Sequence, residues 1–242
     1  MKLSRSHKID LRPDERIDYF MEGRLKLIQS KNGYRFSIDA VLLSEFVVVN
    51  PGDLVVDLGT GCGVVLLILL LTKPVGHVFG LEIQEELAAQ ASRNAILNGF
   101  EDRMEVILGD IKHLPLTEQS ADVVVCNPPY RKMKSGRTNP DPRRAIARHE
   151  VLASIDDILG AARRLLRRKG RLILIYPSVR LVDMLVRMRY FGLEPKTIQV
   201  NYPGLRSYGK LVLIEALSGG RPGVRISPPI FGQGNFSILA PP

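Results

Sequence analysis

From position 53 onward, short runs of apolar, β-branched residues alternate with longer runs whose apolar residues recur at helical spacing. The short runs have the length and composition of β-strands, and the longer ones have the length and spacing of helices. This alternation predicts an α/β fold with a doubly wound, mostly parallel sheet. The predicted strands cover residues 53–58, 76–83, 104–110, 121–127, 170–177, 195–202 and 210–217.

The last two predicted strands break the rhythm, because only a few turn residues separate 195–202 from 210–217. Such a pair most simply forms an antiparallel hairpin at a sheet edge. We therefore expect seven strands, mostly parallel, with an antiparallel last strand. The predicted helices cover about 62–72, 84–98, 150–168 and 179–191.

The two ends of the chain lack this alternation. Residues 1–50 finish in an apolar run, 38–49, that is compatible with a helix packed on the sheet, and the Pro/Gly-rich residues 219–242 predict an irregular strap. The expected organisation is an N-terminal extension over 1–50, a main domain over 51–218 and a C-terminal tail over 219–242.

Composition narrows the class of protein. The chain has 242 residues, 45% of them hydrophobic and 24% charged, which excludes a disordered or fibrous protein. Its longest apolar run, Val64 to Leu71, is far shorter than the ~20 residues that cross a bilayer, and its first residues lack the apolar core of a signal peptide. Two isolated cysteines, Cys62 and Cys126, and four scattered histidines argue against a metal site. We expect a cytoplasmic protein without a membrane or metal partner.

Positive charge is concentrated in two segments, 131–148 and 163–171. Together they hold 13 Lys and Arg residues and a single acid, Asp141, although the whole chain has 34 basic and 25 acidic residues. This concentration favours a polyanionic partner. A solvated helix face beside a disordered loop is the alternative.

A glycine-rich turn follows the first predicted strand, with the pattern D-x-G-x-G-x-G over Asp57–Gly63. Glycines let a ligand approach the backbone, and the free N–H groups of the following helix attract an anion. The spacing departs from the dinucleotide pattern G-x-G-x-x-G, which weakens an NAD interpretation.

Acids stand at the ends of the next two predicted strands. Glu82 can accept hydrogen bonds from both hydroxyls of a ribose, and Asp110 can accept one from an adenine amino group while Ile111 packs on the ring. Each acid taken singly fits a helix cap or solvated turn equally well. With Asp57 they favour a nucleoside ligand at the carboxyl rim of the sheet.

The fourth predicted strand is followed by Asn127-Pro128-Pro129-Tyr130, the most specific motif of the chain. The prolines fix the backbone, so the Asn127 side-chain oxygen and the Pro128 carbonyl can accept both protons of a planar amino group. Tyr130 offers a flat face for stacking. An ordinary turn after a strand is the alternative.

Together, the glycine-rich turn, the two acids and NPPY resemble the class I S-adenosylmethionine-dependent methyltransferases that act on amino groups. The likeness spans about 55–130 in its motifs and reaches about 217 in its strands. It implies a Rossmann-like sheet with a reversed last strand and S-adenosyl-L-methionine as cofactor. It also implies that Asn127, Pro128 and Tyr130 hold the acceptor.

Further segments resemble the bacterial methyltransferases that modify N6 of adenine 37 in valine tRNA. They are RPDERIDYFMEGRLKLIQSKNGYRFSIDAVLLSEF, ARHE at 147–150 and GGRPGVRISPPIF. This resemblance implies that residues 34–42 close one side of the cofactor pocket, with Phe36 and Asp39 nearest. The implied cofactor-binding residues are Phe36, Asp39, Asp57, Gly59, Thr60, Gly61, Glu82, Ile83, Asp110, Ile111 and Asn127.

The basic segment 131–148 continues directly from Tyr130, so its cations are expected to bind tRNA phosphates beside the target base. Two other functions stay open: methylation of a glutamine amide in a protein such as a release factor, and a non-catalytic RNA-binding module. A DNA adenine methyltransferase would need a target-recognition region for which the chain has no spare length. The expected RNA-binding residues are Tyr130, Arg131, Lys132, Lys134, Arg137, Arg143, Arg144 and Arg148.

Overall fold

A computed structural model describes residues 9–32, 37–128 and 153–232 of the chain. A seven-stranded sheet forms its centre, in the order β5-β4-β3-β6-β7-β9-β8. All of these strands are parallel except β9, which runs antiparallel to both β7 and β8. The predicted fold class is thereby confirmed. The strands are β3 (Leu54–Leu58), β4 (His77–Glu82), β5 (Met104–Leu108), β6 (Ala121–Cys126), β7 (Leu166–Pro177), β8 (Leu193–Tyr202) and β9 (Leu211–Ser218).

Five helices of the described residues cover the two faces of the sheet. One face packs on α1, α2 and α3, and the other on α4 and α5. Alternate strand residues serve the two cores: Val55 and Val123 point to the first face, and Val56 and Val124 to the second. The helices are α1 (Ile38–Phe46), α2 (Val64–Thr72), α3 (Glu85–Leu97), α4 (Ile155–Leu165) and α5 (Leu181–Tyr190).

Helix α2 lies within the predicted helix 62–72, although its sequence has no polar stripe. Every residue from Val64 to Leu70 is buried, because α2 lies in the first core together with residues of α1, α3 and the sheet. A helix that is covered on all sides needs no polar stripe. Helix α3 is amphipathic and ends at Leu97 with Asn98 as its C-terminal cap. Gly99 follows with a φ of 71°, so the predicted stop at Asn98-Gly99 is correct.

The predicted helix 150–168 is longer than the one observed within the described residues. Helix α4 begins after Ser154, whose side chain accepts a hydrogen bond from the Asp157 backbone in a capping box, and it ends at Leu165. The extension to position 168 is wrong, because Leu166 already pairs with Ala121 at the start of β7.

A β-hairpin in the N-terminal extension was not predicted. It consists of β1 (Glu15–Phe20) and β2 (Leu25–Ser30). Side chains of α3 and of its C-terminal cap dock it: Asn98 Oδ1 accepts from Lys26 N at 2.9 Å, and Asn94 Oδ1 accepts from Ile28 N at 2.7 Å. The helix thus supplies hydrogen bonds that a third strand would otherwise provide.

The C-terminal tail is more regular than expected. Its segments β10 (Arg225–Ile226) and β11 (Ile230–Phe231) both pair in parallel with β8, which brings the sheet to nine strands. Alternation could not reveal strands of two residues each. In the part of the chain that the structure describes, no helix is long and apolar enough to span a membrane.

Candidate active site

The glycine-rich turn lies at the carboxyl end of β3 and is held against β4. The backbone N–H groups of Gly59 and Thr60 both donate to the Leu81 carbonyl, at 2.9 and 3.1 Å. Gly59 has a φ of 77° with open space where a Cβ would stand. On the other side a Cβ at Gly80 would come within 2.7 Å of Thr60 Cγ2. The turn therefore packs closely on β4 while its outer surface stays open to a ligand.

Glu82 ends β4 and is fixed by two backbone donors. Its Oε2 accepts from Gly61 N at 2.9 Å, and its Oε1 accepts from Gln84 N at 3.0 Å. Burial raises the pKa of this carboxyl, and the backbone hydrogen bonds oppose the rise. Each oxygen keeps a lone pair that a ligand hydroxyl can use. The next residue, Ile83, is 38% exposed at the same rim.

Asp57, the neighbouring acid on β3, is almost completely buried. Loss of hydration raises its pKa to about 7, the nearby Thr60 hydroxyl partly opposes this rise, and the charge of Glu82 adds to it. A positively charged ligand close to Asp57 would favour the ionised carboxylate. Perturbed acids of this kind are typical of ligand sites.

Asp110 follows β5 and has a local structural role. Its Oδ1 accepts from Lys112 N at 2.9 Å, which caps the short 3-10 turn Ile111–His113. The structure is compatible with both predicted roles of Asp110, the hydrogen bond to an adenine amino group and the cap, because the cap uses only one of its two carboxylate oxygens. The Gly109 N–H donates to the Glu82 carbonyl at 2.9 Å, so Asp110 begins next to the end of β4. Ile111 is half-buried against the second core.

Asn127 and Pro128 follow β6, the strand beside β3. The register pairs Asp57 with Val125, so Asn127 comes level with Gly59 two residues further along. The Cys126 thiol donates to the Leu58 carbonyl at 3.1 Å and supports the same alignment. Pro128 is buried. The structure thus brings the first half of NPPY to the glycine-rich turn, whereas Pro129 and Tyr130 lie outside the described residues.

The two cysteines at this rim are buried and free. Burial raises the pKa of Cys62 to about 11 and raises that of Cys126 as well. Both thiols are protonated at neutral pH and unsuited to act as nucleophiles. They serve as small buried side chains.

The N-terminal part of the predicted pocket is described only in part. Asp39 is half-buried in the first turn of α1, and α1 packs with α2, the helix that follows the glycine-rich turn. Phe36 lies outside the described residues. Asp39 therefore lies on a helix that packs against α2, the helix that begins at the candidate site.

The whole of the basic segment 131–148 lies outside the described residues. Its predicted RNA-binding residues are Arg131, Lys132, Lys134, Arg137, Arg143, Arg144 and Arg148.

The other basic segment, 163–171, leads into the amino end of β7, at the edge of the sheet opposite the glycine-rich turn. There Arg167 pairs with Asp122, and Arg171 pairs with Asp53 at 2.8 Å. Arg167 and Arg171 thus balance acids at the starts of β6 and β3, which weakens the interpretation of this segment as a site for a polyanionic partner.

Sequence reasoning missed Asn94, a fully buried amide of α3. Its Nδ2 donates to the Cys62 carbonyl at 2.9 Å, so it braces the glycine-rich turn from behind. A signal was present in the sequence: Asn94 stands beside Ala91 and Ala95 on the apolar stripe of α3. A polar residue at such a position needs hydrogen-bond partners inside the protein.

Among the described residues, no group of three or more His, Cys, Asp or Glu side chains could hold a metal ion.

The carboxyl rim of the sheet thus combines carboxylates at three neighbouring strand ends, an open glycine-rich turn and an asparagine-proline corner. Open α/β sheets bind their ligands at this edge.

Comparisons with known structures agree with the fold. A predicted O-methyltransferase from Agrobacterium tumefaciens superposes with a TM-score of 0.64 at 21% identity, covering 80% of this chain and 86% of that one. A geranyl diphosphate C-methyltransferase from Streptomyces coelicolor gives a TM-score of 0.54 at 15% identity, over 74% and 78% of the two chains.

Comparisons with known sequences identify the family as well as the fold. A family model described as a methyltransferase domain matches residues 50–193. A tRNA1(Val) (adenine(37)-N6)-methyltransferase from Porphyromonas gingivalis is 34% identical over 175 residues, which are 69% of this chain and 68% of that protein. One from Pedobacter heparinus is 30% identical over 174 residues, 72% and 73% of the two chains. The chain belongs to the family of these adenine-N6 tRNA methyltransferases.

Proposed function

We propose that the protein transfers the methyl group of S-adenosyl-L-methionine to the N6 amine of an adenine in tRNA, at position 37 of valine tRNA. The observation that carries this proposal is the alignment of Asn127 and Pro128, at the end of β6, with the glycine-rich turn of β3. The relatives named above, which carry that activity in their names, support it.

The rim fits S-adenosylmethionine. Glu82 is preoriented by the Gly61 and Gln84 N–H groups and offers two acceptors for ribose hydroxyls. The open side of Gly59 leaves room for the backbone to approach the ligand, and Asp57 supplies a buried carboxyl for its cationic part. We assign the remaining described residues by their place in the fold: Asp110, Ile111 and Ile83 to the adenine, Thr60 and Gly61 to the turn itself, and Asp39 to the N-terminal side of the pocket. The family resemblance alone assigns Phe36 to that side.

When bound, the cofactor supplies a methyl group on a positively charged sulfur. The task of the protein is alignment, because no strong base is needed to make an amine attack such a carbon. The Asn127 side-chain oxygen and the Pro128 carbonyl accept hydrogen bonds from the two N–H groups of the amine. These bonds direct the nitrogen lone pair along the line of attack. After transfer, one of these oxygens or water takes the released proton. Tyr130 stacks on the adenine.

The target base must leave its stack or lie in an unpaired loop, since a paired adenine has its amino group occupied. An anticodon loop meets this condition. The seven cations of 131–148 follow Tyr130 directly and bind the phosphates on either side of the base. The protein accordingly acts on tRNA in the cytoplasm.

We assign three parts to the chain on this basis. Residues 1–50 complete the cofactor pocket, residues 51–218 form the methyltransferase domain, and residues 219–242 form the tail. The hairpin β1–β2 and helix α1 give the first part a structural role, because they pack on α3 and α2 beside the glycine-rich turn.

One assay tests the proposed function. Purified protein is incubated with S-adenosylmethionine labelled in its methyl group and, in parallel, with unmodified tRNA or a peptide release factor. We expect label in tRNA alone, and in N6-methyladenosine at position 37 after nuclease digestion. Label in the release factor would assign glutamine-amide methylation instead. The absence of label from both substrates would favour the remaining alternative, a non-catalytic RNA-binding module.

A further inference from the structure

The hairpin that joins β8 to β9 reaches the same rim as the candidate active site. Strand β8 runs parallel to β6, so its end at Tyr202 lies at the carboxyl edge of the sheet. Residues 203–210, here called the hairpin tip, extend beyond it. Two strands separate β8 from β6, and a spacing of about 4.8 Å per strand puts the hairpin tip about 14 Å from the line of Asn127.

The hairpin tip exposes an aromatic ring between two cations. Tyr208 is 97% exposed and Leu205 86% exposed, and Arg206 and Lys210 are exposed as well. The tip contains no acid. Within the described residues, no hydrogen bond or ion pair occupies the side chains of Arg206, Tyr208 or Lys210. Its surface is therefore positive, and it presents an exposed aromatic ring.

The backbone of the hairpin tip is nevertheless well anchored. The Ser207 N–H donates to the Gly204 carbonyl at 3.0 Å, and the Lys210 N–H donates to the Asn201 carbonyl at 2.9 Å. Ser178, in the turn after β7, donates its N–H to the Lys210 carbonyl at 3.1 Å and its hydroxyl to the Gly209 carbonyl.

Gly209 itself packs so closely that a Cβ there would meet Val200 Cγ1 at 2.5 Å. The exposed side chains thus stand on a fixed base, which lowers the entropy lost when they bind a partner.

We propose that the hairpin tip binds the tRNA strand next to the target adenine, with Tyr208 stacking on an unpaired base and Arg206 and Lys210 contacting phosphates. This inference rests on the proposed function and extends its substrate surface beyond the NPPY corner. An exposed aromatic ring flanked by cations is the composition that binds single-stranded nucleic acid. Charge complementarity selects RNA over an apolar protein surface, because two uncompensated cations would lose hydration there without gaining a partner.

The test compares Tyr208→Ala, Tyr208→Phe and the double variant Arg206→Ala/Lys210→Ala with matched controls. Tyr190→Ala removes an 85% exposed tyrosine from the end of α5, at the opposite edge of the sheet. Arg168→Ala/Lys169→Ala removes two exposed cations from the start of β7, also at that edge. The readouts are the Kd for unmodified tRNA at several salt concentrations, the KM and kcat of methyl transfer, and calorimetric cofactor affinity.

We expect Tyr208→Ala to raise the tRNA Kd and KM about tenfold, since a stacked base contributes ~1–3 kcal/mol and about 1.4 kcal/mol is a factor of ten. Tyr208→Phe keeps the ring and the affinity. Arg206→Ala/Lys210→Ala lowers the salt dependence of binding by about 1.5 in the slope of log K against log salt. Cofactor affinity and kcat stay near their wild-type values in all of them.

Methylation by the wild-type protein together with equal tRNA affinities for Tyr208→Ala and Tyr190→Ala would overturn this inference and leave the proposed function intact. A change in self-association, measured by sedimentation, without a change in tRNA Kd would also overturn it and assign the hairpin tip to a protein contact. Wild-type protein that neither binds nor methylates tRNA would overturn both.

Discussion

The buried amide of Asn94 donates a hydrogen bond of 2.9 Å to the backbone carbonyl of Cys62, and so ties α3 to the glycine-rich turn. The same side chain accepts from Ile28 N at 2.7 Å. One residue thus joins the N-terminal hairpin, the helix and the candidate cofactor site. Removal of this side chain should affect both folding and ligand binding.

We expect Asn94→Ala to lower the free energy of unfolding by ~1–3 kcal/mol for each buried group left without a partner, and to weaken S-adenosylmethionine binding several-fold. Urea denaturation and calorimetric titration measure the two effects. Asn98→Ala is the matched control, since Asn98 bonds to Lys26 of the same hairpin and makes no hydrogen bond to the turn. Equal cofactor affinity in the two variants would show that the Cys62 hydrogen bond does not shape the site.

Replacement of Asn127 by Ala should reduce kcat for methyl transfer by about 10²–10³-fold, because one of the two acceptors that orient the amine is removed. Cofactor affinity should stay near normal. Asn127→Asp, which keeps an acceptor oxygen at the same place, should retain more activity. Calorimetry that shows cofactor binding abolished in Asn127→Ala would contradict the assignment to the acceptor amine.

The buried Asp57 predicts a particular pH dependence of stability. Its pKa is raised to about 7 in the folded protein from an ordinary value of 3.8, so the folded state binds more protons than the unfolded state between these values. The stability contributed by the protonated acid is therefore lost as pH rises through this window.

The Tm of Asp57→Asn should rise relative to wild type from about pH 4 to about pH 7 and stay level above, in samples without cofactor. Asp102→Asn, which replaces an exposed acid, is the control variant. A constant Tm difference for Asp57→Asn across the range would refute the shifted pKa.

Neutralising several cations of 131–148 should weaken tRNA binding and flatten its salt dependence, with a slope change of about 0.7–0.9 for each phosphate that a cation no longer neutralises. Fluorescence anisotropy at a series of salt concentrations gives the slope. The control variant neutralises Arg168 and Lys169 at the opposite edge of the sheet and should keep the wild-type slope. A charge-reduced 131–148 segment that binds tRNA with the wild-type slope would exclude it as an RNA-binding element.

The central sheet and the positions of Asp57, Glu82 and Asn127 on its rim were predictable because each depends on a local pattern: a run of β-branched residues that ends in a glycine, an acid or a proline turn. The β1–β2 hairpin was not predictable from the sequence, because its docking depends on hydrogen bonds with side chains that are 66 and 72 residues away. The end of α4 was misplaced for a similar reason. The basic stretch continues without a break, and only pairing with Ala121 makes Leu166 a strand residue.

Clusters of charge along the sequence show the same limit of prediction. Residues 163–171 resemble an RNA-binding stretch in composition, yet Arg167 and Arg171 neutralise Asp122 and Asp53 at the start of neighbouring strands. A count of charges along the chain cannot distinguish a cation that has an internal partner from one that is available to a ligand. The fold decides this, because it selects which acids lie within reach.

The short strands β10 and β11 lie along the outer side of β8, at Thr197 and Ile198 and at Asn201 and Tyr202. Without them, this border of the sheet would offer its backbone amides to any extended polypeptide, as amyloid templates do. The described part of the tail thus protects this edge from intermolecular strand addition. A chain truncated after Ser218 would keep its candidate active site and acquire a tendency to polymerise.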